Sequence, residues 1–162
     1  MIDIETALRV LAGAGVEFIV VGGVAARAHG SARLTNDLDV LYRRTPENIQ
    51  ALAAALGTHA PYLRGAPRGL PFRWDVATIE RGLNFTLTTS FGDLDLLGEI
   101  VGGGGYEALV ADSTAIPVFG VEVRCLNLDR LIHVKRAAGR PKDLEVIAEL
   151  EALLEERDNT RR

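Results

Sequence analysis

Two short runs of this sequence place acids where a strand does not ordinarily carry them. Asp37-Leu38-Asp39-Val40-Leu41 alternates acid and apolar residues, and Asp93-Leu94-Asp95-Leu96 repeats the pattern. Side chains of an extended segment alternate faces, so Asp37 and Asp39 point one way while Leu38 and Val40 point the other. Aspartate is a poor strand former, and two neighbouring carboxylates repel each other unless a cation lies between them. Hard oxygen donors suit Mg²⁺ or Mn²⁺. A lone Asp-x-Asp also reads as a solvated strand end; its recurrence in one short chain moves the reading to a metal site. If the two strands are neighbours, three or four carboxylates converge, which is the charge density that two-metal phosphoryl transfer requires.

The elements that must position these acids can be read from pattern and punctuation. Glu17-Phe18-Ile19-Val20-Val21 is an apolar run of β-formers that stops at Gly22-Gly23, a strand leading into a tight turn. Paired glycines there let backbone N–H groups approach a phosphate closely. Before it, Ile4, Leu8 and Leu11 recur at helical spacing with Asp3 as N-cap, and Gly13 and Gly15 end that helix. After it, Val24 to Ala28 opens a helix, and Asp37 to Tyr42 is a strand. Thr45-Pro46 starts a helix with an apolar stripe of Ile49, Leu52, Ala53 and Leu56, ending at Gly57. Residues 57–71, with Pro61, Gly65, Pro67, Gly69 and Pro71, read as a loop. Leu83 to Thr89 and Phe91 to Leu97 are strands, and Gly102 to Gly105 is a flexible break. Ile116–Val118 and Val121–Cys125 form a hairpin around Phe119-Gly120. Asn127 caps a helix to about Ala138 that Gly139 ends, and Pro141 opens a last helix through Leu154. The expectation is a single domain over residues 1–155 of α/β (α+β) class, followed by a frayed tail over 156–162.

Bulk properties bound the function. The chain has 162 residues, 48% hydrophobic and 25% charged, the composition of one soluble globular domain. No apolar stretch is long enough to span a bilayer, so no membrane partner is expected. The acidic start, Met1-Ile2-Asp3-Ile4-Glu5, is unlike a secretory leader. A single cysteine, Cys125, excludes an internal disulfide and a cysteine-based zinc cluster, and accords with a cytoplasmic location. A net charge of −4 argues against indiscriminate nucleic-acid binding.

The ordered series Val20-Val21-Gly22-Gly23-Val24-Ala25, His29-Gly30, Arg33, Thr35 and Asp37-Leu38-Asp39-Val40 resembles the signature of the DNA-polymerase-β-like nucleotidyltransferase superfamily. There a strand, a Gly-Gly or Gly-Ser turn and a helix precede a strand with Asp-x-Asp or Asp-x-Glu, and a later strand adds a third acid. Gly92-Asp93-Leu94-Asp95-Leu96-Leu97, Leu131-Ile132-His133-Val134-Lys135 and Gly139-Arg140-Pro141-Lys142-Asp143 resemble the bacterial branch related to AbiEii and MenT toxin-type nucleotidyltransferases. The likeness spans roughly residues 15–150 and is most specific in the first third.

The resemblance implies a mixed, twisted sheet with helices mainly on one face. It implies Mg²⁺ or Mn²⁺ held by Asp37, Asp39 and Asp95, with Asp95 also helping to deprotonate an acceptor hydroxyl. Asp93 is a rival for that third position; Asp95 is preferred because Leu94 and Leu96 flank it. Gly22 and Gly23 would cradle the triphosphate of a nucleoside triphosphate such as ATP, and the hydroxyl would attack the α-phosphorus and release pyrophosphate. The acceptor would be tRNA or a protein, as in a toxin with a cognate antitoxin. An aminoglycoside-type small molecule is a second reading, and a non-catalytic nucleotide- or partner-binding module of the same fold is a third. With no separate helical domain, a partner or a homodimer is expected.

Secondary candidates carry bland readings beside functional ones. Lys135 shares a helical face with Leu128, Leu131 and Ala138, so it either reaches a phosphate or snorkels to water. Arg33 and Thr35 precede the acid strand and read equally as phosphate contacts or loop residues. His29 reads first as a helix-end residue. Arg140 and Asp143 flank Pro141, and a favourable helix-dipole interaction accounts for Asp143 without function. Arg64, Arg68, Arg73 and Arg81 surround the loop and read as a solvated patch or as a track for an RNA backbone. Phe72 and Trp74 read as packing residues, and Cys125 as a buried small hydrophobe.

Overall fold

The computed structural model describes residues 1–161, and Arg162 lies outside them. Asp3 accepts hydrogen bonds from the Thr6 N–H at 3.1 Å and its hydroxyl at 2.7 Å, which starts α1 (Ile4–Gly13) and buries Ile4, Ala7, Leu8 and Leu11. β1 (Phe18–Val21) is buried throughout and runs straight into α2 (Gly22–Ala28), which begins at the glycine pair itself, not at Val24. Then follow β2 (Asp37–Tyr42), α3 (Pro46–Gly57), β3 (Tyr62–Leu63) and α4 (Val76–Arg81). Beyond them come β4 (Phe85–Thr89), β5 (Gly92–Leu97), α5 (Tyr106–Leu109), β6 (Ser113–Val118), β7 (Val121–Leu126), α6 (Leu128–Ala138) and α7 (Pro141–Thr160). No helix among the described residues is long and apolar enough to cross a membrane.

The strands form one mixed sheet in the order β3-β4-β5-β2-β1-β7-β6. β2 pairs in parallel with β5 and β1 with β7, and the other neighbours are antiparallel. The β2–β5 register sets Asp37 opposite Asp93 and Asp39 opposite Asp95. The alternate residues Leu38, Val40, Leu94 and Leu96 are fully buried on the opposite face. Each such side chain contributes about 1.5–3 kcal/mol of burial, and their sum anchors the pair of strands against repulsion among the acids. β4 continues the acid face, with Thr86 opposite Asp95 and Thr88 opposite Asp93.

Four expectations are corrected. Residues 57–71 are not all loop: Tyr62 and Leu63 pair with Thr88 and Leu87 to form β3, a strand too short to show periodicity. Gly102–Gly105 is no flexible break. Ile100 and Gly104 exchange backbone hydrogen bonds of 3.0 and 2.9 Å, and a Cβ on Gly102 would collide with Ala137. Asn127 precedes α6 without capping it through its side chain; its Oδ1 accepts from the Thr114 hydroxyl at 2.7 Å instead. Helix α7 runs past Leu154 through the expected tail to Thr160, since Leu153 and Leu154 pack on the core and Arg157 Nη2 donates to His29 Nδ1 at 3.3 Å. Two further helices escaped the sequence reading: α5 spans one turn, and α4 is started by Asp75, which accepts from the Thr78 N–H at 2.8 Å.

The ends of β1 and β2 remote from the acids are clamped by Asn48, which is 3% exposed. Its Oδ1 accepts from Glu17 N–H at 2.7 Å, and its Nδ2 donates to Glu17 O at 3.0 Å and Arg43 O at 2.7 Å. Asn48→Ala is expected to lose about 2–3 kcal/mol in urea denaturation by unpairing these groups, with Mn²⁺ affinity unchanged. A loss below about 0.5 kcal/mol would show that the clamp contributes little.

Candidate active site

Asp37, Asp39 and Asp95 each present a carboxylate oxygen within 4.8 Å of the others. Asp93 stands opposite Asp37 and falls outside this group of three. The turn after β1 is shaped around Asp39. Gly22 has φ +66°, and a Cβ there would collide with Asp39 Oδ2, so only glycine permits the close approach. A Cβ on Gly23 would come within 3.0 Å of Thr35 Oγ1. That hydroxyl lies 3.0 Å from Asp37 O and 3.1 Å from Asp37 Oδ1, so Thr35 orients the first acid from beneath the glycine turn.

Burial of like charges governs the electrostatics. Burial first, then the Asp37 charge and the hydrogen bond and charge of Asp95, push the Asp39 carboxyl up to about 8, with Lys135 opposing. Burial likewise raises Asp95, against the hydrogen bond from Asp39 and the charge of Arg64. Burial lowers Lys135, against the pull of Asp143 and Asp39. Lys135 Nζ lies 3.8 Å from Asp143 Oδ1. Burial alone would raise Asp143, but Arg140 holds it low, donating from Nε at 2.6 Å, from Nη2 at 3.1 Å and from its backbone N–H at 3.2 Å. Asp143 thus closes the start of α7 and ties Lys135 and Arg140 together. Gly22, Asp39, Lys135, Arg140 and Asp143 border one cavity of about 360 Å³ whose other walls are largely apolar.

Other candidates are not gathered here. Arg33 turns to α7, with Nη2 donating to Glu145 O at 3.3 Å and Nη1 3.8 Å from the Glu145 carboxylate. His29 Nε2 contacts Leu126 O at 2.7 Å, and the residue lines a separate cavity of about 670 Å³ with buried Cys125 and Arg157. Arg64, read from sequence as one of a loop patch, lies instead among the acids. Its Nη2 is 2.8 Å from Asp95 Oδ1, its Nε 3.4 Å from Asp93 and its Nη1 4.0 Å from Asp37. Only the β3–β4 pairing reveals this, because β3 is too short to announce itself.

No protein-family model and no curated protein matches the chain. Solved structures do. An inferred nucleotidyltransferase from Thermotoga maritima superposes with a TM-score of 0.54 at 14% identity, over 92% of this chain and 94% of that one. The ANT(2″)-Ia enzyme in complex with adenylyl-2″-tobramycin gives a TM-score of 0.55 at 14% identity, over 98% of this chain and 97% of that one. The chain therefore has the nucleotidyltransferase fold in a single mixed-sheet domain, as its sequence resemblance implied. The AbiEii and MenT branch finds no counterpart among these likenesses.

The Asp39 carboxyl binds its proton more tightly in the folded protein than in the unfolded chain. The folded protein keeps that proton to about pH 8, whereas the unfolded chain releases it near pH 4. Its stabilising contribution is full below the unfolded value and is lost as pH rises through the folded one. In EDTA, stability is expected to fall between pH 5 and about 8, and Asp39→Asn is expected to flatten that slope. Mn²⁺ affinity is expected to run the other way, rising up to about tenfold per pH unit to near pH 8, because the ion displaces the proton. Urea melts and Mn²⁺ titrations across this range check both; identical slopes in wild type and Asp39→Asn would contradict the assignment.

Proposed function

We propose that this chain is a divalent-metal-dependent nucleotidyltransferase that moves a nucleoside monophosphate from a nucleoside triphosphate to a hydroxyl acceptor. The observation that carries the reading is the parallel register of Asp39 with Asp95, which brings acids of two strands together beside a turn where only glycine fits. The donor set suits Mg²⁺ or Mn²⁺: three carboxylates converge, and Asp95 Oδ1 is buried without a well-formed hydrogen bond. Hard cations take such oxygens.

In this reading Asp37, Asp39 and Asp95 would hold the ions, and Thr35 fixes the orientation of Asp37. The bound metal supplies Lewis-acid polarisation of the α-phosphate and acidifies the acceptor hydroxyl. Asp95 accepts the hydroxyl proton. The acceptor oxygen bonds to the α-phosphorus, the bond to the bridging oxygen breaks, and pyrophosphate departs. Gly22 and Gly23 present backbone N–H groups to the triphosphate, and Lys135 and Arg140, held by Asp143, offset its charge. The acceptor is drawn from two classes. The sequence resemblance supports tRNA or a protein, with a cognate antitoxin. The match to ANT(2″)-Ia, which carries adenylyl-2″-tobramycin and aligns over 98% of this chain, supports an aminoglycoside-type small molecule.

Incubation with each α-³²P-labelled triphosphate and Mn²⁺, offered total RNA, cell protein and aminoglycosides, tests the reading. Label is expected on one acceptor class, falling by about 10²–10³-fold or more in Asp39→Asn and Asp95→Asn. Nucleotide binding that ignores Mn²⁺, with no labelled product, would indicate a non-catalytic module.

A further inference from the structure

Arg64 is anchored at both ends. Its backbone N–H donates to Thr86 O at 3.0 Å, and its Nη2 donates to Leu87 O at 2.8 Å. Between these anchors the guanidinium reaches Asp37, Asp93 and Asp95 at 4.0, 3.4 and 2.8 Å. Fitted arginine–carboxylate pairs form two parallel hydrogen bonds. Here Arg64 Nε and Asp95 Oδ1 are both buried without a hydrogen bond of good geometry. The contact is therefore one of charge, loosely fitted and spread over three acids.

We propose that Arg64 is a resident counter-cation that competes with the divalent metal for Asp37 and Asp95 and must withdraw from them when the metal loads. The inference rests on the metal-binding reading above. A guanidinium close to a carboxylate oxygen opposes a second cation there by charge repulsion and by occupying the approach, and Arg64 lies 2.8 Å from Asp95 and 4.0 Å from Asp37, two of the three acids that converge. It neutralises the cluster with one charge where an ion brings two, so it lowers the affinity for metal alone without blocking it. A triphosphate adds negative charge that both cations can share, which makes metal and nucleotide load together. Arg64 also approaches Asp95 from the β3–β4 edge, with β5 and β2 between it and the Gly22 turn that follows β1. Its N–H thus stands where an acceptor hydroxyl would donate, and its withdrawal frees the oxygen that takes the proton.

The test is calorimetric titration of Mn²⁺ into the full chain as wild type, Arg64→Gln, Arg64→Lys and Asp39→Asn, with thermal melts of each in EDTA and in saturating Mn²⁺. Arg64→Gln is expected to bind Mn²⁺ about tenfold or more tightly than wild type, and Arg64→Lys to fall between. Added ATP is expected to narrow the difference. Arg64→Gln is expected to melt below wild type in EDTA and together with it in Mn²⁺, whereas a merely structural arginine would lower both melts. If Arg64→Gln does not fold, tighter Mn²⁺ binding by Arg64→Lys carries the test. Binding by the Arg64 variants no tighter than wild type overturns the role of Arg64 and leaves the metal site standing. Binding by no protein, even with ATP, overturns the metal site and this inference with it.

Discussion

Carboxylates on neighbouring strands repel, and this protein stacks four of them on two strands in register. Two unit charges 4 Å apart oppose each other by about 4 kcal/mol at the effective dielectric of a protein surface. The fold offsets that cost in three ways. Leu38, Val40, Leu94 and Leu96 are buried on the opposite face and hold the strands side by side. Arg64 on one flank and Lys135 on the other supply positive charge. Asp39 keeps a proton well above the usual carboxylate range. The last two devices are electrostatic, and a divalent cation among the acids would take their place.

The supports of the cluster are themselves coupled. Gly22 admits Asp39, Gly23 packs on Thr35, and Thr35 contacts Asp37, so the turn and the first two acids form one unit. On the α6–α7 side, Asp143 is buried and binds Arg140 and Lys135 together. Asp143 thereby sets the position of the Lys135 and Arg140 side chains beside the cavity that Asp39 borders.

How much of this was legible depended on the length over which a residue's role is encoded. Asp37, Asp39 and Asp95 could be read because strand alternation projects a local pattern directly onto a face; what remained was whether the strands are neighbours, and the β2–β5 pairing supplies that. Gly22 could be read because a glycine pair ending an apolar run is a local turn signal. Arg64 could not: its place depends on a two-residue strand pairing with residues far along the chain, and its loop composition pointed to solvent. The extension of α7 escaped for a similar reason, since its last turns are held by contacts such as Arg157 with His29. Asp143 was legible as a helix-start residue, and its hold on Lys135 was not.

The most direct measurement is a crystal structure of the full chain with Mn²⁺ and a non-hydrolysable triphosphate, with anomalous data collected at the manganese edge. The account predicts an anomalous peak at about 2.0–2.3 Å from oxygens of Asp37 and Asp39, with Asp95 facing it and the triphosphate against Gly22 and Gly23. A peak bound elsewhere, or triphosphate bound with no manganese at these acids, would contradict it.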